Sequence, residues 1–415
     1  MLFGILLRKV ILQGRLTVYD ANGQKHEFGD PAAANPISIR LHTPALHWKL
    51  ALNPRLYIGE AYMDGTLTVE EGGTIFDLLA LVVSNTAHRE VSILDRWGLR
   101  MRRWLRAFSQ ANPVQRSRSN VAHHYDLSTD LYEMFLDARR QYSCAYFADP
   151  SMSLEEAQRA KLDHIARKLL LEPHHRVLDI GCGWGGLALH IAETTGAHVT
   201  GITLSAEQHA YAVASAKERG LTGKVAFHLR DYRNETGTYD RVVSVGMFEH
   251  VGVPNYDTFF ETIRDRLTPD GVAMMHTIVQ GGTPWPTNPW LMKYIFPGGY
   301  CPAVSEVVTS IERSRLWNCD MECWRLHYAE TLRHWRDAFI AHWRDAEALY
   351  DERFCRMWEF YLAGCEVGFR HDNMMVVQFQ LARQRDAVPL TRDYLYQAND
   401  KAAMREPGYP ARRVA

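Results

Sequence analysis

Residues 177–186, VLDIGCGWGG, form a short apolar run that breaks into four glycines within six residues. An apolar run of this length, closed by glycines and followed by a helical pattern, reads as a buried strand, a tight loop and a helix start. Glycines there let the backbone come close to a ligand, and the free N–H groups of the helix N-terminus suit an anionic group. Working outward, strand 176–180 precedes helix 186–195, then strand 198–203 and helix 206–219. Strands 225–229 and 241–245 follow, then helix 256–267 and strand 272–278. Such alternation predicts an α/β fold with a parallel sheet covered on both faces. Residues 281–302, rich in Gly, Pro and Trp, interrupt it and read as an inserted lid or substrate segment. Late strands are expected at 316–325 and 374–381, flanking a helical region at 331–364.

The loop also satisfies G-x-G-x-x-G, the nicotinamide fingerprint, and that match alone is weak. Two details separate the readings. Asp179 lies just inside the first glycine, as in the D-x-G-x-G loops of methyltransferases, where an acid faces the methionyl ammonium of S-adenosylmethionine. A nicotinamide site instead expects an acid about 20 positions on for the ribose; here the second strand ends in Thr203-Leu204-Ser205. That absence weakens the dehydrogenase, and it also departs from the commonest methyltransferase pattern, with Thr203 and Gln208 as neutral substitutes for the acid. Asp231-Tyr232, after the third strand, suits an adenine by carboxylate and ring face. The expected fold is therefore a class I, Rossmann-like methyltransferase with a mostly parallel seven-stranded sheet.

The chain has 415 residues, 47% hydrophobic and 23% charged, with a formal net charge of −1. Nothing in that balance draws it to nucleic acid, and attraction to an anionic partner must come from a local patch. No run reaches the ~18 apolar residues of a membrane-spanning helix. The opening MLFGILLRKVILQG resembles a signal peptide only briefly, because Arg8 and Lys9 follow the apolar run and no small-residue cleavage site comes after. Seven scattered cysteines, an odd number, fit a reduced, cytoplasmic protein.

The length suits a catalytic domain plus a smaller one. Residues 14–28 alternate around Asn22-Gly23, a hairpin signal, and a helix is expected at 74–83, so residues 1–85 read as a small α+β unit. Over 89–118 eight Arg face only Glu90 and Asp95, with Trp97 and Trp104 on an apolar stripe. That pattern suits either a bilayer interface or packing on the protein body. A polar linker follows at 110–120. The division expected is 1–110, lipid- and membrane-associated, and 111–415, catalytic.

Five further segments narrow the class: NVAHHYDLS (120–128), QYSCAYF (141–147), GMFEHVG (246–252), YIFPGG (294–299) and HYAETL (327–332). Together they closely resemble the cyclopropane-fatty-acyl-phospholipid synthases, relatives of the mycolic acid cyclopropane synthases. The resemblance covers nearly the whole chain. It implies methylene transfer from S-adenosylmethionine to a cis double bond of an acyl chain in a membrane phospholipid, through a carbocation deprotonated by bound bicarbonate. It also implies a homodimer acting at the inner membrane surface. By resemblance the bicarbonate cage is Cys144, Glu249, His276, the backbone at Ile278, and Tyr328. Tyr142, Ser143, Gly181, Gly183, Thr203, Gln208 and Tyr232 would contact the cofactor, beside Asp179, Leu204 and Asp231. Cys301 departs from the aliphatic residue expected in GGYCP.

Other readings stay open. Cys365 stands where the family carries a cysteine, either as a nucleophile or as a small core residue. Adjacent His123-His124 rarely point at one ion. Cys319, Cys323 and His327 have zinc-like spacing but no fourth ligand and a strand-like pattern, so no metal is expected. Two rival functions remain beside ring formation: a methyltransferase giving methylene- or methyl-branched chains, and a lipid-binding relative without chemistry.

Overall fold

A computed structural model describes residues 2–70, 72–86 and 128–396. The expected Trp/Arg helix, the linker, the 110/111 boundary and His123-His124 lie outside them. In the N-terminal part, β1 (Arg15–Tyr19) pairs antiparallel with β2 (Lys25–Gly29) across the expected Asn22-Gly23 turn. Asp20 holds that turn, its Oδ1 accepting from the amides of Asn22 at 2.9 Å and Gln24 at 3.0 Å. With β3 (Ile37–Leu41) and β4 (Leu67–Val69) they form a four-stranded sheet, order β2-β1-β3-β4. The helix Ile75–Ser84 starts on a capping box, Thr74 and Asp77 satisfying each other's backbone amides.

The larger sheet contains β5 (Arg176–Ile180), β6 (His198–Thr203), β7 (Val225–Leu229), β8 (Tyr239–Val245), β9 (Leu267–Gln280), β10 (Trp317–Trp324) and β11 (Met374–Ala382). Its order is β10-β11-β9-β8-β5-β6-β7. The β5 to β9 strands run parallel, while β11 is antiparallel to both its neighbours. This is the mostly parallel seven-stranded sheet expected. Successive residues of a strand point to opposite faces, and here both faces are covered. Val177, Val243 and Met274 enter the core under the helix Gly186–Thr195. Leu178, Val242, Ala273 and Met275 enter the core under the helix Tyr256–Arg266. Double burial is why VLDI reads as an unbroken apolar run.

A third core joins the N-terminal sheet to the far side of the molecule. Leu16, Val18 and Leu78 share it with Tyr132, Trp290, Trp335 and Tyr361. The segment expected as a lid carries a short helix, Pro289–Tyr294, whose Trp290 is buried and donates its indole N–H to Met63 Sδ at 3.1 Å. The expected helical region is three helices, His327–Ala341, Trp343–Leu349 and Glu352–His371. The last starts where Asp351 accepts from the Phe354 amide at 2.6 Å. The helices Pro54–Met63 and Val304–Arg313 were not expected from the sequence, and neither was the longer Leu154–Lys168. Its capping box, Ser153 with Glu156, is a legible start signal. Its buried face is half polar, carrying Gln158, Lys161, His164 and Lys168, and so hides the apolar period. No helix among the described residues is long and apolar enough to cross a membrane.

Candidate active site

The chain order turns back between β5 and β8, since β6 and β7 lie to one side and β9 to the other. Ligands of open α/β sheets gather outside the carboxyl ends of strands at such a switch point. A cleft lies there, and all ten residues nominated for the cofactor line it: Tyr142, Ser143, Asp179, Gly181, Gly183, Thr203, Leu204, Gln208, Asp231 and Tyr232. Gly181 has φ +81°, and a Cβ on it would stand 2.8 Å from the Met247 side chain. Only glycine meets both demands.

Asp179 is buried on β5 with Oδ2 lacking any hydrogen-bond partner among the described residues. Burial pushes its carboxyl up to about 7. An orphaned buried carboxylate oxygen is costly unless a ligand satisfies it, and an ammonium would do so. At the end of β6, the Thr203 hydroxyl donates to Gln208 Oε1 at 3.0 Å, leaving the Gln208 amide nitrogen as a donor. Asp231 is engaged by Arg233, whose Nε reaches Oδ1 at 2.8 Å and Nη2 reaches Oδ2 at 2.7 Å. The adenine contact expected of its carboxylate is thus shared with a guanidinium. Tyr232 is buried edge-on against Phe259, centroids 5.4 Å apart. Tyr142 stacks on Trp335 at 5.1 Å and its hydroxyl meets that of Tyr361 at 2.7 Å.

The nominated catalytic groups come from five elements. Glu249 sits in the 3-10 turn Phe248–His250 after β8, and its Oε1 accepts from the Ile278 amide of β9 at 2.6 Å. Its Oε2 is buried without a hydrogen-bond partner among the described residues. Burial raises the Glu249 carboxyl above the usual range. His276, also on β9, packs edge-on against Trp324 at 5.2 Å, and its Nδ1 meets Gln378 Nε2 at 3.1 Å. With that amide nitrogen as donor, Nδ1 accepts and the proton is assigned to Nε2. Burial, then Lys161 and Lys168, hold the imidazole well below its ordinary pKa, so it is neutral at pH 7.

Cys144 is buried, its thiol raised by burial and directed to the Ala145 carbonyl at 3.3 Å. Tyr328, in the first turn of the helix His327–Ala341, lies against Phe369 at 4.7 Å and Trp335 at 5.8 Å. Cys365 has its thiol pushed up to about 12 by burial. A nucleophilic cysteine needs the opposite shift, so the core reading is the one the environment supports. The Cys301 thiol is raised by burial and by neighbouring Glu249 and Cys365, which puts the unexpected cysteine beside the catalytic candidates.

Gln141, Gln158, Lys161 and His250 were not nominated from the sequence, although Gln141 and His250 fall within the quoted segments 141–147 and 246–252. Gln141 and His250 line the cleft, and burial pulls the His250 imidazole down to about 4. Gln158 and Lys161 belong to the helix Leu154–Lys168, where the capping box was the available signal. Cys319 and Cys323 lie on β10, and four strand residues span roughly 13 Å, too far for one ion.

The fold and the cleft define an S-adenosylmethionine-dependent methyltransferase of the α/β class. Residues 113–379 match the family model described as mycolic acid cyclopropane synthetase. The chain is 38% identical over 355 residues to the cyclopropane-fatty-acyl-phospholipid synthase of Escherichia coli K12, covering 84% of this chain and 88% of that one. It is also 38% identical to a probable fatty acid methyltransferase of Pseudomonas putida, covering 94% and 98% of the two chains. The solved cyclopropane synthase MmaA2 of Mycobacterium tuberculosis superposes with a TM-score of 0.62 at 34% identity, covering 65% of this chain and 99% of that one. The chain belongs to the mycolic acid cyclopropane synthetase family.

Proposed function

We propose that this enzyme transfers a methylene group from S-adenosylmethionine to the cis double bond of an unsaturated acyl chain in a membrane phospholipid, closing a cyclopropane ring. The observation that carries this reading is the buried Glu249–Ile278 pair with one open carboxylate oxygen, set among neutral side chains and aromatic rings beside the cleft. S-adenosylmethionine, when bound, supplies the electrophilic methyl group. An alkene is a weak nucleophile with no proton to lose first, so orientation and exclusion of water must supply much of the rate. Tyr142, Trp335 and Tyr361 form an aromatic wall that does both. Water reaching a carbocation on the acyl chain would trap it as an alcohol, so a dry wall matters twice.

Bicarbonate, when bound, supplies the base that removes a proton from the added methyl. The residues present fit such an anion. His276 Nε2–H and the Tyr328 hydroxyl are donors, the Cys144 thiol becomes one when it turns from the Ala145 carbonyl, and Glu249 is biased by burial toward its uncharged form, which limits repulsion. The Ile278 amide already serves Glu249, so Glu249 releases or shares it on anion binding.

The bilayer enters through an exposed N-terminal face. Ile5 (58%), Leu12 (63%), Trp48 (63%) and Leu52 (78%) stand out to solvent. Residues 1–19 and 31–59 contain no Asp or Glu, while Arg8, Lys9, Lys49 and Arg55 are basic. Apolar side chains with a tryptophan and a basic rim suit an anionic lipid interface. The N-terminal region is accordingly proposed as the membrane-associated part and the remainder as the catalytic one. The family resemblance extends the proposal to a homodimer, which light scattering in solution checks.

The Pseudomonas putida relative, named a probable fatty acid methyltransferase and matched over nearly its whole length, favours a second reading, methyl transfer to an acyl chain without ring closure, which here would leave a methylene- or methyl-branched chain. One assay separates the two. The protein is incubated with methyl-labelled S-adenosylmethionine and unsaturated phospholipid vesicles, and the acyl chains are analysed by mass spectrometry. Ring formation gives a labelled chain one CH2 heavier that resists mild hydrogenation. A labelled chain that takes up hydrogen supports a methylene branch, and no label in lipid despite cofactor binding overturns both.

A further inference from the structure

The helix Leu154–Lys168 sends Lys161, fully buried, toward the back of the cleft. Its Nζ donates to Gln141 Oε1 at 2.8 Å and to Ser143 Oγ at 2.8 Å, and both acceptors line the cleft. Gln158, one turn earlier, donates to the carbonyls of Gln141 at 3.2 Å and Ser143 at 2.9 Å, so the helix grips this segment twice. Among the described residues no carboxylate lies within ion-pair distance of Lys161. A buried ammonium whose nearest acid, Asp137, acts on it only from beyond ion-pair distance is expensive, and a second negative charge brought close to it would offset that cost. The titratable groups that feel it are Asp137 and Cys144 from the preceding loop and His276 from β9. Asp137 already accepts from the amides of Gln141 at 2.7 Å and Arg139 at 3.1 Å.

The hydrogen bonds have a direction that matters. An ammonium can only donate, so Ser143 Oγ is fixed as acceptor and its own proton is left to donate elsewhere. Gln141 Oε1 is likewise taken, and its amide nitrogen faces the start of the helix Gly186–Thr195. A Cβ on Gly186 would fall 2.3 Å from that nitrogen and 2.6 Å from the Arg139 carbonyl. That helix N-terminus is where an anionic ligand group is favoured. Burial pulls the Lys161 ammonium down to about 8, and a ligand carboxylate nearby would raise it again.

We infer that Lys161 is a positioning residue and the buried counter-charge for the carboxylate of the cofactor's methionyl end, acting through Ser143 and Gln141. The inference rests on the cofactor reading of the cleft but not on the lipid product, and its test uses no lipid. Binding of S-adenosylhomocysteine and of 5′-methylthioadenosine, which lacks the amino-acid end, is measured by calorimetry on the full-length protein and on Lys161→Met. The expected result is a loss of about 10- to 100-fold for S-adenosylhomocysteine, the range for hydrogen bonds to charged groups, with 5′-methylthioadenosine unchanged. Lys161→Arg, which keeps the charge, should recover part of the loss. Equal losses for both ligands, or no loss for either, would overturn the role. If Lys161→Met does not fold, Ser143→Ala must show the same ligand-selective loss, and its absence there overturns the role as well. Wild-type protein that binds neither ligand would instead refute the cofactor reading itself.

Discussion

At the scale of single residues, the cleft works by keeping charges out of water and leaving chosen atoms without partners. Asp179 is the clearest case: burial alone lifts its carboxyl to about 7 and one oxygen has no hydrogen-bond partner among the described residues. The sign of its pH effect follows. Below pH 7 the carboxyl is protonated and loses its attraction for an ammonium; above pH 7 it is charged and the attraction is present. Cofactor affinity should therefore fall as pH drops through 7, by at most about tenfold per unit. Titration calorimetry across pH 5.5 to 8 checks this, and Asp179→Asn should flatten the lower limb while weakening binding at pH 8. Glu249 differs, because its partner is the Ile278 amide of β9 rather than the glycine loop. Glu249→Gln should lower turnover by about a hundredfold or more, the scale of losing one preorganised polar group that positions the reacting groups, with cofactor affinity almost unchanged. Equal losses in both quantities would remove Glu249 from the chemistry.

At the scale of elements, the β5–loop–helix unit supplies the cleft's floor, and the helix Leu154–Lys168 holds its wall. Residues 177–186 could be read from sequence because a doubly buried strand and a glycine loop leave local marks. The wall helix could not, because Lys161, Lys168 and Gln158 stand on its buried face where a periodicity search expects apolar residues. Its first turn is fixed by Ser153, which bonds Glu156 and accepts from its amide at 3.3 Å. Ser153→Ala should cost about 1 kcal/mol of stability, read from chemical denaturation, and should weaken S-adenosylhomocysteine binding only slightly. A large binding loss without a stability loss would mean the cap acts on the cleft directly.

At the scale of the whole molecule, the third core ties the N-terminal sheet to the helix Glu352–His371 and to the aromatic wall. The lipid-facing proposal and the chemistry therefore meet in one packed unit. Trp48→Glu together with Leu52→Glu places charges on the exposed face and leaves the cleft untouched. Co-sedimentation with anionic phospholipid vesicles should fall about tenfold or more, since two apolar contacts become repulsive, while S-adenosylhomocysteine affinity stays constant. Unchanged sedimentation would move the membrane contact elsewhere on the chain.

The sequence by itself determined the strand order's raw material, the glycine loop, Asp179 and the family, because each depends on residues close together in the chain or on motifs quoted in order. It also nominated Cys144, Glu249, His276, Ile278 and Tyr328 through resemblance, without showing how any of them meet. Tertiary structure alone decided that the Ile278 amide serves Glu249, that Arg233 engages Asp231, and that the partly buried Cys365 sits where its thiol is pushed up to about 12. It alone placed Lys161 behind Ser143. The reason is physical. Desolvation and hydrogen-bond direction depend on what surrounds a group in space, and a lysine on a helix carries the same letters whether it faces water or a ligand.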